Sequence, residues 1–335
     1  MRRALITGIA GQDGSYLAEH LVAEGVEVHG TVRPDGRDAL WRLAGVQGQL
    51  ALHPLDLLDG PAVAALVRQI SPDECYHLTG TRKPLADARE EAQLLEGALG
   101  TTHALLSAVH QVRPRAGFFF AASSEMFGPD APSPQDEAAP LDPRTIYAIA
   151  KAAGMQLVRL YREEKGLRAC SGILFNHESP RRGAEFVTRK ITMGAACIKL
   201  GLVNELRLGD LAARRDWGHA RSFASAMRLM VHREQPEDLV LATGQTHCVR
   251  DFAEVAFAHL GLDYRQFVVE DPGIPRPSRA GLVGNPARAQ AVLGWRDEIP
   301  FRRLVEEMTD VDLKRAQTEL SARRTNGPPA AGGEG

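Results

Sequence analysis

The stretch LITGIAGQDGSYLAEHL, Leu5 to Leu21, decides how the chain is to be read. It begins as a short apolar strand, turns through Gly8, Gly11 and Gly14, and continues as an amphipathic helix. Glycine lets such a turn take positive φ and lets the backbone approach a pyrophosphate, while the helix start offers amide donors and a positive dipole end. Three glycines at this spacing are a weak signal alone. Directly after an N-terminal strand and before a helix, they indicate a dinucleotide-binding turn that includes Gln12 and Asp13.

The end of the following strand bears on the cofactor. GTVRPDG puts Arg33 where an NAD site usually carries an acid, and a guanidinium suits a 2′-phosphate, so NADP is expected over NAD. Asp56 and Leu57 follow the strand-like LHPL; Asp56 is placed either to contact an adenine edge or to cap the next helix.

Outward from this turn, strand-like VEVHGTV, LALHPLDL, ECYHLTG, GFFFAAS and RACSGILFN alternate with helix-like segments. Such alternation predicts an α/β fold, a Rossmann-type doubly wound parallel sheet over residues 1–176, to which the chain returns around 218–250. After Asn176 the texture turns basic and polar, and residues 177–325 are expected to form mainly a smaller C-terminal α/β substrate-binding lobe. The tail, 326–335, has nothing to bury and is expected to be disordered.

Composition excludes several function classes. The 335 residues are 44% hydrophobic and 24% charged, with a formal net charge of -2. That balance gives no electrostatic case for nucleic acid or an anionic membrane. No apolar run reaches transmembrane length, and MRRALITG runs straight into a strand, which leaves no room for a signal peptide. Cys75, Cys170, Cys197 and Cys248 are scattered without zinc or disulfide spacing, so a reduced cytoplasmic setting and no metal are expected.

GFFFAASSEMFG, Gly117 to Gly128, poses a separate question. Its apolar run suits a parallel strand covered on both faces, yet it ends in two serines and a glutamate. Either Ser124 caps the next turn with Glu125 solvated, or these groups do chemistry. Downstream, YAIAK puts Tyr147 and Lys151 four residues apart, on one face of a helix. An ammonium beside a tyrosine lowers its pKa from ~10, and a poised phenol can take a hydroxyl proton while hydride leaves the same carbon.

With the glycine turn and the serine-ended strand, this set resembles the extended short-chain dehydrogenase/reductase superfamily, which implies the group Ser123, Tyr147 and Lys151. LITGIAGQDGSYLAEHL, SSEMFG, GILFNHESPRRGAEFVTRKIT, RDWGHA and ATGQTHCVRDF narrow it: the chain resembles the GDP-mannose 4,6-dehydratase family from about Arg3 to about Leu313. The resemblance implies oxidation of a GDP-linked sugar at C4, loss of water across C5 and C6, and return of the hydride to C6. It makes Glu125 the base for the C5 proton and the group that returns it to the leaving oxygen. It places Tyr147, Lys151, His177, Glu178 and Arg182 on the cofactor, and Asn176, Val187, Lys190, Arg215 and Arg276 on the nucleotide sugar. Trp217 and His219 are read as structural. A homodimer or homotetramer is implied as well.

The chain departs from the family around the substrate. HLTGTRKPLADARE replaces an alanine-rich stretch bearing serine and histidine, bringing in Arg82 and Lys83. AQLLEGALG offers leucine where the family has asparagine, Pro34 stands for a second arginine ahead of a shortened loop, and Arg279 takes the place of a glutamate. A dehydratase with a remodelled pocket, a dehydratase, epimerase or reductase of another nucleotide sugar, and a weakly active cofactor-binding paralogue are the three readings. The intact Ser123, Glu125, Tyr147 and Lys151 argue against the last.

Overall fold

The computed structural model describes residues 1–36, 39–80, 86–274 and 281–325. The expected disordered tail, together with Arg82, Lys83, Arg276 and Arg279, lies outside them. The strands, in chain order, are β1 (Arg3–Thr7), β2 (Glu27–Val32), β3 (Leu50–Pro54), β4 (Glu74–His77), β5 (Gly117–Ser123), β6 (Arg168–Leu174), β7 (Asn176–Glu178), β8 (Leu206–Leu208), β9 (Arg214–Arg215), β10 (Trp217–His219), β11 (Leu239–Leu241), β12 (His247–Cys248) and β13 (Val268–Glu270). The helices are α1 (Gln12–Ala23), α2 (Gly60–Ile70), α3 (Ala88–Val112), α4 (Ile146–Glu163), α5 (Val187–Lys199), α6 (Ala220–Val231), α7 (Val249–His259), α8 (Ala287–Leu293) and α9 (Phe301–Thr325).

Two compact units result. The first comprises Met1–Arg181, Arg214–Thr246 and Ser278–Ile299; the second comprises Arg182–Ala213, His247–Pro277 and Pro300–Gly335.

In the first unit a seven-stranded parallel sheet runs in the order β11-β6-β5-β4-β1-β2-β3. The chain winds outward from β1 to β3, then crosses back through α2 to β4 on the other side of β1. This reversal opens a crevice at the carboxyl ends of β1 and β4, where doubly wound folds bind ligands. Side chains alternate between the two faces, as the period of a strand requires. Ile6 and Phe119 pack with Leu17 and Leu21 of α1 and Phe223 and Met227 of α6. Leu5, Phe118 and Phe120 pack on the opposite face with Val67 of α2, Leu106 and Val109 of α3 and Val158 of α4. The apolar run of β5 is thus buried from end to end, and the doubly wound parallel sheet expected from strand–helix alternation is present.

The second unit packs α5 against α9 and α7, with β8 and β13 in a parallel pair. Its centre is polar. Asp312 of α9 receives a two-pronged contact from Arg189 of α5 at 2.9 and 2.8 Å, and further hydrogen bonds from Thr192 at 2.5 Å and Arg315 at 3.0 Å. Among the described residues no helix is long and apolar enough to cross a membrane.

A buried pair of this kind is costly to break from one side, because the remaining charge loses its partner. Asp312→Ala is expected to destabilise the second unit by about 3–5 kcal/mol, read as a lower urea midpoint, whereas Asp312→Asn keeps an acceptor and should cost clearly less.

Candidate active site

The glycine turn lies at the crevice. Gly8 has φ of 74°, a left-handed conformation that glycine takes without strain. At Gly14 a Cβ would stand 2.5 Å from the Gly8 carbonyl oxygen and 2.7 Å from the Ile9 Cα, so the helix start lies directly on the turn's backbone. Helix α1 has Gly11 at its N-cap and no side-chain cap. Its first amides are therefore available to an external anion, and the residues present fit a dinucleotide diphosphate.

The register Thr7↔Thr31 carries β2 alongside β1, and Arg33 follows one residue beyond β2, exposed. Asp56 is exposed, and its Oδ1 accepts the Leu58 amide at 3.0 Å, so it organises the turn ahead of α2. Asp59, however, is the residue that caps α2, accepting from the Ala62 amide at 3.0 Å. Leu57 packs against the core.

Ser123 ends β5 and accepts the Glu125 amide at 3.3 Å, capping the 3-10 turn Ser124–Phe127. The cap is Ser123 and not Ser124, because β5 runs one residue further than its apolar run. Glu125 is half-buried in that turn, so it is not simply a solvated side chain. Helix α4 begins behind Thr145, whose hydroxyl accepts the Ala148 amide at 3.1 Å, and this cap sets where Tyr147 and Lys151 emerge.

Lys151 is buried, with its amine donating to the Ala121 carbonyl at 2.7 Å and reaching the Thr79 carbonyl at 3.4 Å. It also lies 5.0 Å from the Phe120 ring centre and 5.8 Å from that of Tyr147. Burial pushes the amine down from 10.5 to about 8, against an opposing pull from Asp13. A cation is thus held between the ends of β4 and β5, beside the phenol it is to assist.

Below it, His77 is sealed in and pushed down to about 3 by burial, with the Lys151 charge adding to the shift. The ring is neutral. Thr102 gives its proton to the Ala98 carbonyl at 2.7 Å and so must accept from His77 Nε2 at 3.1 Å. Nδ1 then accepts from the hydroxyls of Thr7 at 2.8 Å and Thr79 at 3.1 Å.

Two motifs far apart in the chain meet at the helix start. Gln12 Nε2 donates to the His177 carbonyl at 3.0 Å, Ser179 donates to Gln12 Oε1 at 2.8 Å, and His177 Nε2 lies 3.0 Å from Asp13 Oδ1. Arg181 continues the clasp, donating to Ser15 at 3.0 Å, pairing with Glu19 and lying 4.0 Å over the Tyr16 ring. Asn176 and Glu178 flank His177 on β7, half-buried and buried. Register Gly218↔His177 ties β7 to β10. There Trp217 and His219 are buried, and the His219 amide donates to Asp297 at 2.7 Å, which agrees with structural roles.

Arg215 is half-buried and donates to the Arg214 carbonyl at 2.6 Å. Asp216 beside it accepts from the Thr243 amide and hydroxyl and from the amides of Gly244 and Gly284. In the second unit, Arg182 stacks 3.6 Å over the Phe186 ring and its carbonyl accepts from Arg189 at 2.6 Å. Val187 opens α5 half-buried, and Lys190 is exposed one turn on.

Sequence reasoning passed over Thr79, Gly80, Ser179 and Arg181. A Cβ at Gly80 would stand 2.9 Å from the Lys151 amine, so glycine leaves the space that the lysine end occupies. Ser179 and Arg181 meet partners 167 and 166 positions away, and no linear spacing marks such a pair.

A sequence profile described as GDP-mannose 4,6 dehydratase matches residues 5–308. The chain belongs to the GDP-mannose 4,6-dehydratase family. It is 41% identical over 330 residues to GDP-mannose 4,6 dehydratase 2 of Arabidopsis thaliana, covering 94% of this chain and 88% of that one. To the GDP-mannose 4,6 dehydratase of Homo sapiens it is 38% identical over 349 residues, covering 95% and 93%. Among solved structures, dTDP-glucose 4,6-dehydratase from Bacillus anthracis in complex with NAD superposes with a TM-score of 0.82 at 16% identity, covering 95% of this chain and 98% of that one. RMD from Pseudomonas aeruginosa complexed with NADPH gives 0.78 at 24%, covering 94% and 100%. These two likenesses show that the chain shares their fold. No group of three or more metal-ligating side chains occurs among the described residues.

The seat of Lys151 yields a direct measurement. Competitive acetylation followed by peptide mass spectrometry is expected to titrate this amine near about 8, ammonium below and neutral above. A midpoint at the ordinary 10.5 would mean that the amine does not sit buried against the two carbonyls.

Proposed function

We propose that the chain is a nucleotide-sugar 4,6-dehydratase that converts GDP-mannose to GDP-4-keto-6-deoxymannose and recycles NADP. The observation that carries the reading is the position of Glu125. Its half-buried carboxylate sits in the turn capped by Ser123, at the end of the strand whose Ala121 carbonyl holds the Lys151 amine.

The dinucleotide is held by Gly8, Gly11, Gln12, Asp13 and Gly14 at the start of α1, by Arg33, Asp56 and Leu57 beyond the neighbouring strands, and by Tyr147, Lys151, His177, Glu178 and Arg182. When bound, the nicotinamide takes up a hydride and gives it back. Tyr147, beside the Lys151 amine, removes the proton of the C4 hydroxyl. Ser123 hydrogen-bonds the oxygen that becomes the ketone. That ketone acidifies the C5 proton, which Glu125 takes and then delivers to the departing C6 oxygen as water. As the hydride returns to C6, C5 takes up a proton, which balances the one Tyr147 removed from the C4 hydroxyl. A plain epimerase has no such use for a carboxylate at this place. Asn176, Val187, Lys190, Arg215 and Arg276 are assigned to the nucleotide diphosphate. Ile149 and Leu160, large apolar side chains left exposed on α4, support a homodimer through that helix.

Arg33, exposed just past β2, is assigned to the 2′-phosphate. A charge-assisted contact of that kind contributes ~1.5–3 kcal/mol, so NADP is expected to bind at least tenfold tighter than NAD, with Arg33→Ala erasing most of the difference. Equal dissociation constants in the unaltered protein would count against an NADP enzyme.

Oxidation and elimination use different residues and can be separated. Tyr147→Phe is expected to abolish reduction of the cofactor by GDP-mannose. Glu125→Gln should leave some reduction while cutting turnover ~10²–10⁴-fold, the usual worth of a positioned base. Loss of water is followed by mass spectrometry, and near-normal turnover in Glu125→Gln would end the dehydratase reading.

A further inference from the structure

Thr79 lies where three parts of the first unit meet. Its methyl group packs on the glycine turn, where a Cβ at Gly8 would stand 3.3 Å from it. Its hydroxyl meets His77 Nδ1 at 3.1 Å, and its carbonyl receives the Lys151 amine at 3.4 Å. His77 and Thr79 belong to HLTG, the start of the stretch that departs from the family, and the dehydration chemistry gives His77 no part.

His77 can hold that threonine in only one way. The ring is buried and neutral, because burial and then the Lys151 charge oppose its protonation. Thr102 gives its proton to the Ala98 carbonyl at 2.7 Å, so it accepts from His77 Nε2 at 3.1 Å. Nδ1 is then an acceptor, and the hydroxyls of Thr7 at 2.8 Å and Thr79 at 3.1 Å both donate to it. Among the described residues neither hydroxyl has another partner. The ring is fixed in turn by the register Thr7↔His77 and by Phe120, whose centre is 5.8 Å from that of the imidazole and 5.0 Å from the Lys151 amine. The amine meets Asp13 from α1, His77 from β4 and Tyr147 from its own helix.

Resting on the reading that Lys151 assists Tyr147, we propose that His77 is a positioning residue for the Lys151 amine: its Nδ1 lone pair fixes the Thr79 side chain, and with it the carbonyl on which the amine is seated. Threonine is stiff at χ1, so its two branches, one on Gly8 and one on His77, hold the backbone between them. With the acceptor gone, the hydroxyl must find another partner, and the backbone that carries the carbonyl is released. Only an uncharged ring can do this. An imidazolium has no lone pair to offer and would add a second cation beside the ammonium.

Competitive acetylation of the full chain reads the seat directly. In Thr79→Val, which keeps the shape and loses the hydroxyl, and in His77→Leu, the Lys151 midpoint is expected to fall below about 8 by roughly one pH unit, because the ammonium loses a carbonyl acceptor. Reduction of NADP by GDP-mannose should then slow roughly tenfold above the lowered midpoint, in step with the ammonium fraction. His77→Asn, whose side-chain oxygen falls near the place of Nδ1, should restore the midpoint. Thr7→Val takes the other hydroxyl from the same nitrogen and should leave the midpoint where it is. A histidine that only fills space predicts the same midpoint in Thr7→Val and Thr79→Val, shifted or not, and that result overturns the proposal. Should His77→Leu fail to fold, the two threonine variants still decide. The titration needs neither cofactor nor sugar, so a protein that shows these midpoints yet dehydrates no GDP-mannose would overturn the proposed activity and not the seat of the amine.

Discussion

The first turn of α1 lies against the backbone of Gly8 and Ile9 with no side chain between them, and the rest of the catalytic unit is arranged around that contact. At Gly14 there is no room for a Cβ, so the helix axis and the exit of β1 are fixed relative to each other. The amides of an uncapped helix start then point into the crevice where β1 and β4 diverge. A strand-to-helix unit of this kind creates an anion site from backbone alone, which is why so few side chains need to be specified there.

Around that site the polar side chains are used up on one another in a definite order. Gln12 and Asp13 are held from the side by His177 and Ser179. Lys151 is drawn to the carbonyls at the ends of β4 and β5. His77 closes a set of threonine hydroxyls beneath them. In each case a buried polar group has a stated partner, as a low-dielectric interior demands. Tyr147 and Glu125 are half-buried. The second unit follows the same rule with a carboxylate at its centre: Asp312 gathers Arg189, Thr192 and Arg315, and Arg189 in turn holds the Arg182 carbonyl.

Much of this was legible in the order of residues. The turn from β1 into α1 is local, so three glycines between an apolar strand and an amphipathic helix determined it. The buried character of β5 follows from its unbroken apolar run, and the shared face of Tyr147 and Lys151 from the helical repeat. Family motifs then pointed to Glu125 as a base, where local chemistry left it open between that and a solvated turn residue.

Tertiary structure alone decided the rest. That Ser123 rather than Ser124 caps the turn depends on where pairing with β6 ends, at Ser123↔Leu174. That Asp59 caps α2 while Asp56 organises the turn ahead of it depends on where that helix starts. The clasp of Asp13 with His177, and the seat of Lys151 beside Gly80, join residues 164 and 71 positions apart in the sequence. Local periodicity fixes which residues lie on an element's face, because φ and ψ repeat within a few residues. Which faces meet is set by packing of the whole sheet, and pairs such as Asp13 with His177 exist only once those faces have met.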